Sequence, residues 1–510
     1  MTRTLITTRM TFMTSTRLRT MADMTLPHRG PIDVLRVPLI GRFLRWRRGR
    51  LVMQVALFAI ALLLVIDGFT GPQNAARNLA TVTSWVHYRG LLVVVLLVAG
   101  NLFCMACPFA LPRSAARRLS IRGKRFPRAL RNKWLAIGGL FLLFFLYEWL
   151  DLWASPLLTA WVIVAYFVAS FVLEALFTES AFCKYVCPLG SFNYVYSTLS
   201  PTQIGVRDPD ICARCVGKEC VNGSYAPQPV IRVDDIGGGQ TREVKHGPDG
   251  VLGCGTLLFA PQVKSNLDCT MCLDCVRACP YDNAGLMLRP HGRELSEPGS
   301  WPGRWDVSLL VVILAFTGMT NAFGMVPPVY ALLEWLANTL YLRSEAVALL
   351  ILFGVGNLLL PVALTLLAGW ASRALAGAAG RLSLREVVAA FAPAFVPLGF
   401  GVWFAHYAFH FLIAPLTIIP VLQEFFGMPG EWTRFGAAAD TTVISLVQVV
   451  VLAGGFFWSL LLAQRAAMRL YKRNGMPGLM PWALLLLGMM LVTWWIMSLP
   501  MEMRGTDLFA

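Results

Sequence analysis

Residues 269–280 read CTMCLDCVRACP, a C-x2-C-x2-C-x3-C-P run of Cys269, Cys272, Cys275 and Cys279-Pro280. Four thiolates at this spacing wrap a [4Fe–4S] cubane, and the proline stops the chain from continuing as a helix into the site. Zinc usually takes two separated C-x2-C pairs instead. The run lies between long apolar stretches, and the composition explains them. The 510-residue chain is 56% hydrophobic and 14% charged, against about 25% charged in soluble domains. It reads as a membrane protein carrying an inserted domain. The net charge of +16 needs no nucleic-acid partner, because the basic residues cluster beside the apolar runs.

Nine runs are long enough to cross a hydrocarbon core of about 30 Å. They cover 51–69, 90–108, 134–152, 159–178, 307–325, 346–369, 387–413, 442–463 and 481–500. Arg42, Arg45, Arg47, Arg48 and Arg50 precede the first. Nine basic residues fill 113–133, and Arg465, Arg469, Lys472 and Arg473 follow the eighth. Loops 70–89, 153–158 and 414–441 are poor in Lys and Arg. The positive-inside rule then puts the N-terminus in the cytoplasm and the C-terminus outside, as in a bacterial inner-membrane protein. Tyr330–Tyr341 looks like a short interfacial helix. The first fifty residues lack an apolar signal core and read as a disordered basic N-terminus.

Residues 51–199 thus form a four-helix membrane domain, 200–304 a cytoplasmic insert and 305–510 a second membrane domain of about five helices. Eight of the twelve cysteines lie in the insert. The cytoplasm is reducing, so these bind metal or do redox chemistry. Ahead of the strong run stands a weaker one, Cys212, Cys215 and Cys220, followed by Cys254. In two-cluster ferredoxins the fourth cysteine of each run serves the other cluster. That rule assigns Cys212, Cys215, Cys220 and Cys279 to one [4Fe–4S] cluster. It assigns Cys269, Cys272, Cys275 and Cys254 to a second. Structural zinc, or a lost site with leftover thiols, is the plainer alternative for the weak run. Between the runs, Val230-Ile231-Arg232-Val233 and Thr241-Arg242-Glu243-Val244 flank a triple glycine and suggest a β-hairpin.

The other four cysteines form two matched pairs, FCMACPF (103–109) and FCKYVCPLG (182–190), at the cytoplasmic ends of their runs. Helices of an antiparallel bundle bring such ends together. Cys104, Cys107, Cys183 and Cys187 then suit a third cubane, or a dithiol site for a soft ion such as Cu(I). Buried free cysteine is the ordinary structural reading. With these motifs and the ferredoxin-type insert, the layout resembles the NosR/NapH/CcoG group of membrane polyferredoxins over about residues 50–300. The resemblance implies electron transfer tied to respiration, denitrification or metallocofactor maturation. That group carries Cys-x3-Cys-Pro at both membrane edges, whereas the first motif here is Cys-x2-Cys-Pro. The resemblance does not extend to the spans after residue 305.

His406 and His410 share a helix face, and His87 falls at the same outer membrane level. Ionisable groups in spans are usually functional. A haem b, a copper ion or a quinone pocket at that level would receive electrons from the cytoplasmic side. Interfacial histidines hydrogen-bonded to water or backbone are the ordinary alternative. Glu148 and Asp151 toward the outside suit a proton path or plain helix ends. No Ser-His-Asp set, HExxH or nucleotide fingerprint occurs. The expectation is a polytopic α-helical membrane protein of about nine transmembrane helices with an inserted two-cluster ferredoxin-like α+β domain. It would relay single electrons between a cytoplasmic or quinol donor and a membrane or periplasmic redox partner, as part of an oxidoreductase system. The alternative is a copper reductase, a redox sensor or a metallocofactor-assembly factor.

Overall fold

The computed structural model describes residues 32–46, 48–111, 124–224, 250–430 and 439–501. The glycine hairpin expected at 230–244 lies outside the described residues. The chain is mostly helical. Its principal helices are α1 (Gly49–Thr70), α2 (Leu79–Ala99), α3 (Trp134–Trp149), α4 (Pro156–Leu176), α5 (Trp305–Phe323), α6 (Glu345–Leu375), α7 (Leu384–Ile413), α8 (Thr441–Tyr471) and α9 (Gly475–Ser498). Seven helical stretches among the described residues are long and apolar enough to cross a membrane. Helix α3 is a shorter apolar helix of 16 residues. Helices α8 and α9 make up one 58-residue stretch, interrupted by the turn Lys472–Asn474 where Lys472 has φ 52°. That turn folds α9 back along α8, so Gln448 near the start of α8 meets Met497 near the end of α9 at 3.5 Å. Pro328–Leu340 is the short helix expected there.

Helices α5 and α7 are the most enclosed and form the centre of the bundle. The outer helices turn Leu, Val, Phe and Trp outward, as lipid-facing surfaces require. Small residues bring backbones together. A Cβ on Gly455 of α8 would lie 2.8 Å from the Pro397 carbonyl of α7, so only glycine admits this approach. Polar side chains start the helices. Ser155 accepts from the Leu158 amide at α4, and Ser383 with Glu386 closes a capping box at α7.

Three findings depart from the sequence reading. Helix α2 starts and ends earlier than the expected span 90–108. It stops at Gly100, and Cys104 lies in a separate short helix, Leu102–Ala106. Gly100 has φ +68°, and a Cβ there would sit 2.6 Å from Ser200 Oγ, 2.7 Å from Thr202 Oγ1 and 2.8 Å from Met271 Cε. Second, the earlier start draws Arg89, read as a loop residue, into the buried part of α2. Third, residues 32–45 are not disordered. They form two short helices, Val34–Arg36 and Pro38–Arg45, pinned to the insert. Asp33 takes the Leu286 amide and the Arg207 guanidinium, and the Leu288 amide donates to Ile32 O at 2.8 Å. No local pattern signals this, because the partners lie more than 170 residues away.

The insert is framed by an antiparallel pair, β1 (Thr202–Val206) and β2 (Ala284–Leu288), in register from Thr202 opposite Leu288 to Val206 opposite Ala284. Between these strands run the short helices Pro209–Arg214, Glu219–Asn222 and Asp274–Ala278. Their hydrophobic core includes Cys220, Cys269, Cys275 and Cys279 themselves.

Candidate functional site

The twelve cysteines gather into three sets of four, and each set joins segments distant in sequence. In set one, Cys212, Cys215, Cys220 and Cys279 line one pocket with Phe259, Tyr281 and Asn283. Asp208 caps the helix that carries Cys212, through the Asp210 amide. The Asn283 side chain donates to Cys212 Sγ at 3.2 Å, and its backbone amide donates to Cys279 Sγ at 3.4 Å. Burial pushes the thiols of Cys215 and Cys220 up to about 11, and raises that of Cys212. Neighbouring thiols reinforce the rise.

In set two, Cys254 lies within electrostatic reach of Cys269, Cys272 and Cys275. The loop reaches this arrangement through left-handed residues: Asp268 (φ 64°), Met271 (φ 51°) and Leu273 (φ 60°). Such non-glycine conformations persist only where the surroundings hold them. Asn101, just past the break at Gly100, donates to Cys269 O at 2.8 Å. Burial again dominates and pushes Cys272 up to about 11. Sets one and two adjoin, since the Cys254 amide donates to Cys220 O at 2.9 Å.

In set three, Cys183 lies within electrostatic reach of Cys187, Cys107 and Cys104. Cys183 stands in a π-turn, Phe182–Val186, and the Cys187 sulfur caps the helix Pro188–Tyr196 by accepting from the Gly190 amide at 3.1 Å. Asn193 of that helix donates to Cys104 Sγ at 3.3 Å. Both Cys-Pro motifs thus end one helical turn and start another, which turns their thiols toward one another.

Among the described residues, no group of three or more His, Cys, Asp or Glu side chains converges as ligands of a single metal ion. Four thiolates on one zinc ion would stand only ~3.8 Å apart, from a Zn–S bond of ~2.3 Å. A cubane places its own iron and sulfide between the thiolates, so its ligands stand further apart. The four-cysteine composition, the burial and the amides aimed at sulfur fit that larger group.

Two charged residues escaped the sequence reading. Arg50, taken there as a membrane flank, donates to Asp274 at 3.0 Å and to Met105 O at 3.2 Å, within reach of both Cys272 and Cys183. It bridges sets two and three. Its only sequence signal was its place at the very start of an apolar run. Arg89 is caged by Trp85, Tyr147 and Tyr407, 4.5, 4.4 and 5.2 Å from their ring centres, and donates to Tyr147 Oη at 3.1 Å. A buried arginine in a span is expensive and marks a functional region.

The histidines divide. His406 and His410 are neighbours with ring centres 5.2 Å apart, and His406 Nε2 lies 3.0 Å from Met325 Sδ. His87 stands across the Phe411 ring, with Nδ1 on Val82 O at 3.1 Å and Nε2 on Pro415 O at 3.2 Å. Both of its nitrogens therefore face backbone carbonyls, and the neutral ring donates to one of them. Glu148 meets the Asn321 amide at 3.4 Å. No family model matches the chain, and no curated protein or solved structure matches it either.

Proposed function

We propose that this chain is a membrane-bound electron relay of the polyferredoxin type, kin to the NosR/NapH/CcoG group, whose three cysteine sets hold [4Fe–4S] clusters. The observation that carries this reading is the gathering itself. Cys279 joins Cys212, Cys215 and Cys220; Cys254 joins Cys269, Cys272 and Cys275; Cys104 and Cys107 join Cys183 and Cys187. A cubane supplies reversible one-electron chemistry at each set. The chain's own residues hold the thiols, shield them from water and stiffen them with amide donors. Asn283 serves set one and Asn193 serves set three. Iron binding requires the thiols of Cys215, Cys220 and Cys272 to lose protons that burial makes them keep, so loading and folding are coupled there.

The sets form a line. Cys212 and Cys215 of set one are partly exposed, as are Cys254 of set two and Cys104, Cys107 and Cys183 of set three. Set three stands at the ends of membrane helices and set two adjoins it through Arg50, so a soluble redox partner meets the chain at set one. In the nine-crossing arrangement, α3 and each of α8 and α9 also span the bilayer. The insert then faces the bacterial cytoplasm, the C-terminus lies outside, and His406 and His410 fall at the outer level. Haem b or copper there would extend the relay across the membrane.

Anaerobic purification followed by iron and acid-labile sulfide counts tests the reading. About twelve iron atoms per chain supports three cubanes, and about eight supports two. A colourless chain carrying zinc refutes it. About eight iron atoms with exchangeable copper at set three favours the metal-handling alternative.

A further inference from the structure

The Pro38–Arg45 helix has two unlike faces. The inner one is fastened to the insert. Gly41 and Leu44 are buried, and Leu44 joins Leu35 in the hydrophobic core that holds Cys220, Cys269, Cys275 and Cys279. Asp33 pairs with Arg207, and Arg45 pairs at 3.5 Å with Asp282, three residues past Cys279. The outer face is bare and apolar. Leu39 is 81% exposed, Ile40 52% and Phe43 38%. Phe43 stands four residues from Leu39 and three from Ile40, so the three side chains share one side of the helix. Ile32, Val37 and Trp46, also exposed, carry the stripe past both ends.

The insert's own surface is unlike this. Among its described residues, Val216, Leu257 and Leu288 are the large apolar side chains that stand exposed, against six in the fifteen residues 32–46. Leu288 itself donates its amide to Ile32 O at 2.8 Å and so adjoins the stripe. Scattered apolar residues need no explanation, whereas a contiguous stripe marks a surface that something covers.

Two observations name the cover. The first is position. The helix ends at Arg45 and the membrane helix α1 begins at Gly49, so four residue steps, at most ~14 Å, separate them. The chain turns sharply between them. Trp46 is extended with ψ 131°, the Gly49 amide donates to Trp46 O at 2.9 Å, and a Cβ on Gly49 would lie 2.2 Å from Phe43 O. Leu51, Val52 and Val55 in the first turns of α1 are exposed as well, which brings lipid up to the turn. The second is charge. Arg36, Arg42 and Arg48 are exposed, and none pairs with a carboxylate among the described residues. Asp33, already held by Arg207, is the only acidic residue between Asp23 and Asp67. Apolar and aromatic side chains bordered by unpaired arginines are the composition of a helix lying in a membrane interface.

We infer that the Pro38–Arg45 helix lies in the surface of the bilayer, with Leu39, Ile40, Phe43 and Trp46 among the upper acyl chains and Arg36, Arg42 and Arg48 at the lipid phosphates. Its apolar side then reaches roughly 5–10 Å into the boundary between headgroups and acyl chains. Because its other side is fastened to Arg207 and Asp282, the helix clamps the insert to the membrane beside set one. A soluble partner reaches set one from the side away from this helix. The seating itself does not depend on iron at the cysteine sets.

The test uses the full-length chain in vesicles of phosphatidylcholine and phosphatidylglycerol. A keto amino acid at Leu39 carries a spin label, which spares the cysteines. The same label at Ile60, exposed on α1, and at Val216, exposed on the insert, gives the lipid and water references. Oxygen concentrates in lipid and a nickel chelate in water. The expected ratio of oxygen to nickel access at Leu39 is severalfold above that at Val216 and approaches that at Ile60. A ratio equal to that at Val216 overturns the inference. Low access to both reagents also overturns it, since that is the mark of a face covered by protein, such as a second copy of the chain. A label-free reading comes from Trp46→Phe. The fluorescence lost in that variant should belong to a tryptophan that lipid brominated near its headgroup quenches; if that lipid leaves it unquenched, the helix does not lie in the interface.

Discussion

Gly100→Ala is the sharpest test of how the membrane helices build the cysteine sets. The residue sits at φ +68° where α2 gives way to the segment carrying Cys104. At φ +68° and ψ −138° the backbone lies in a region occupied almost only by glycine, where alanine costs about 1–3 kcal/mol. Its Cβ would also lie 2.6–2.8 Å from Ser200, Thr202 and Met271. Ordinary contact begins near 3.4 Å, so these neighbours must retreat by roughly 0.6–0.8 Å. Overpacking of this kind adds about 1–3 kcal/mol, giving roughly 2–6 kcal/mol in all. Met271 lies between Cys269 and Cys272, so the displacement falls on set two. The expected outcome is a lower melting midpoint by intrinsic fluorescence and a smaller iron content per chain. Gly138→Ala is the control: Gly138 lies within α3 and an added Cβ meets nothing within 4 Å. It should leave iron content unchanged, and helix propensity favours it by up to about 1 kcal/mol. If Gly100→Ala melted and retained iron like wild type, the close approach of β1 and the cysteine loop to the end of α2 would be wrong.

Three other perturbations report on the site. Arg50→Gln removes a cation from between Cys272 and Cys183 and breaks a partly buried ion pair. Asp274 keeps Arg277 at 3.0 Å, so the loss should be about 1–3 kcal/mol, below the roughly 3–5 of a fully buried pair. An EPR-monitored titration should show the midpoint potential falling by tens of millivolts, on the order expected for losing a nearby positive charge, with Arg50→Lys restoring most of it. An unchanged potential would remove Arg50 from the site. Cys272→Ser should lose part of the broad visible absorption yet insert into membranes normally; undiminished absorption would count against its ligand assignment. In iron-free folded chain the Cys215 thiol, raised to about 11 by burial and then by its neighbours, is neutral at pH 8. Its alkylation, followed by mass spectrometry, should quicken about a hundredfold between pH 8 and pH 10, because only the thiolate reacts. A rise of only about tenfold or less, as an ordinary thiol gives over this range, would show that the site does not enclose it.

Much of this site was legible because cysteine spacing is a local property. The run at 269–280 and the two Cys-Pro motifs carry their spacing in sequence, and the fourth-cysteine rule supplies the proposed partition into sets one and two. Apolar run length likewise announced α1 and α4 through α7 within a few residues. The α2 boundary was misjudged because a left-handed glycine, not a change of hydrophobicity, ends the helix. Arg89 was misplaced because the helix begins at Leu79, capped by Asn78, ahead of the apolar run.

By itself the sequence determined which thiols exist, how they are spaced and that long apolar helices surround them, since run length and motif spacing depend only on neighbours along the chain. Only the tertiary structure decided that Arg50 stands between two sets, that His87 faces backbone carbonyls while His406 faces His410, and that residues 32–45 are pinned to the insert. Those facts join residues separated by tens to hundreds of positions, and no local pattern encodes a meeting that only the packing of helices and insert creates.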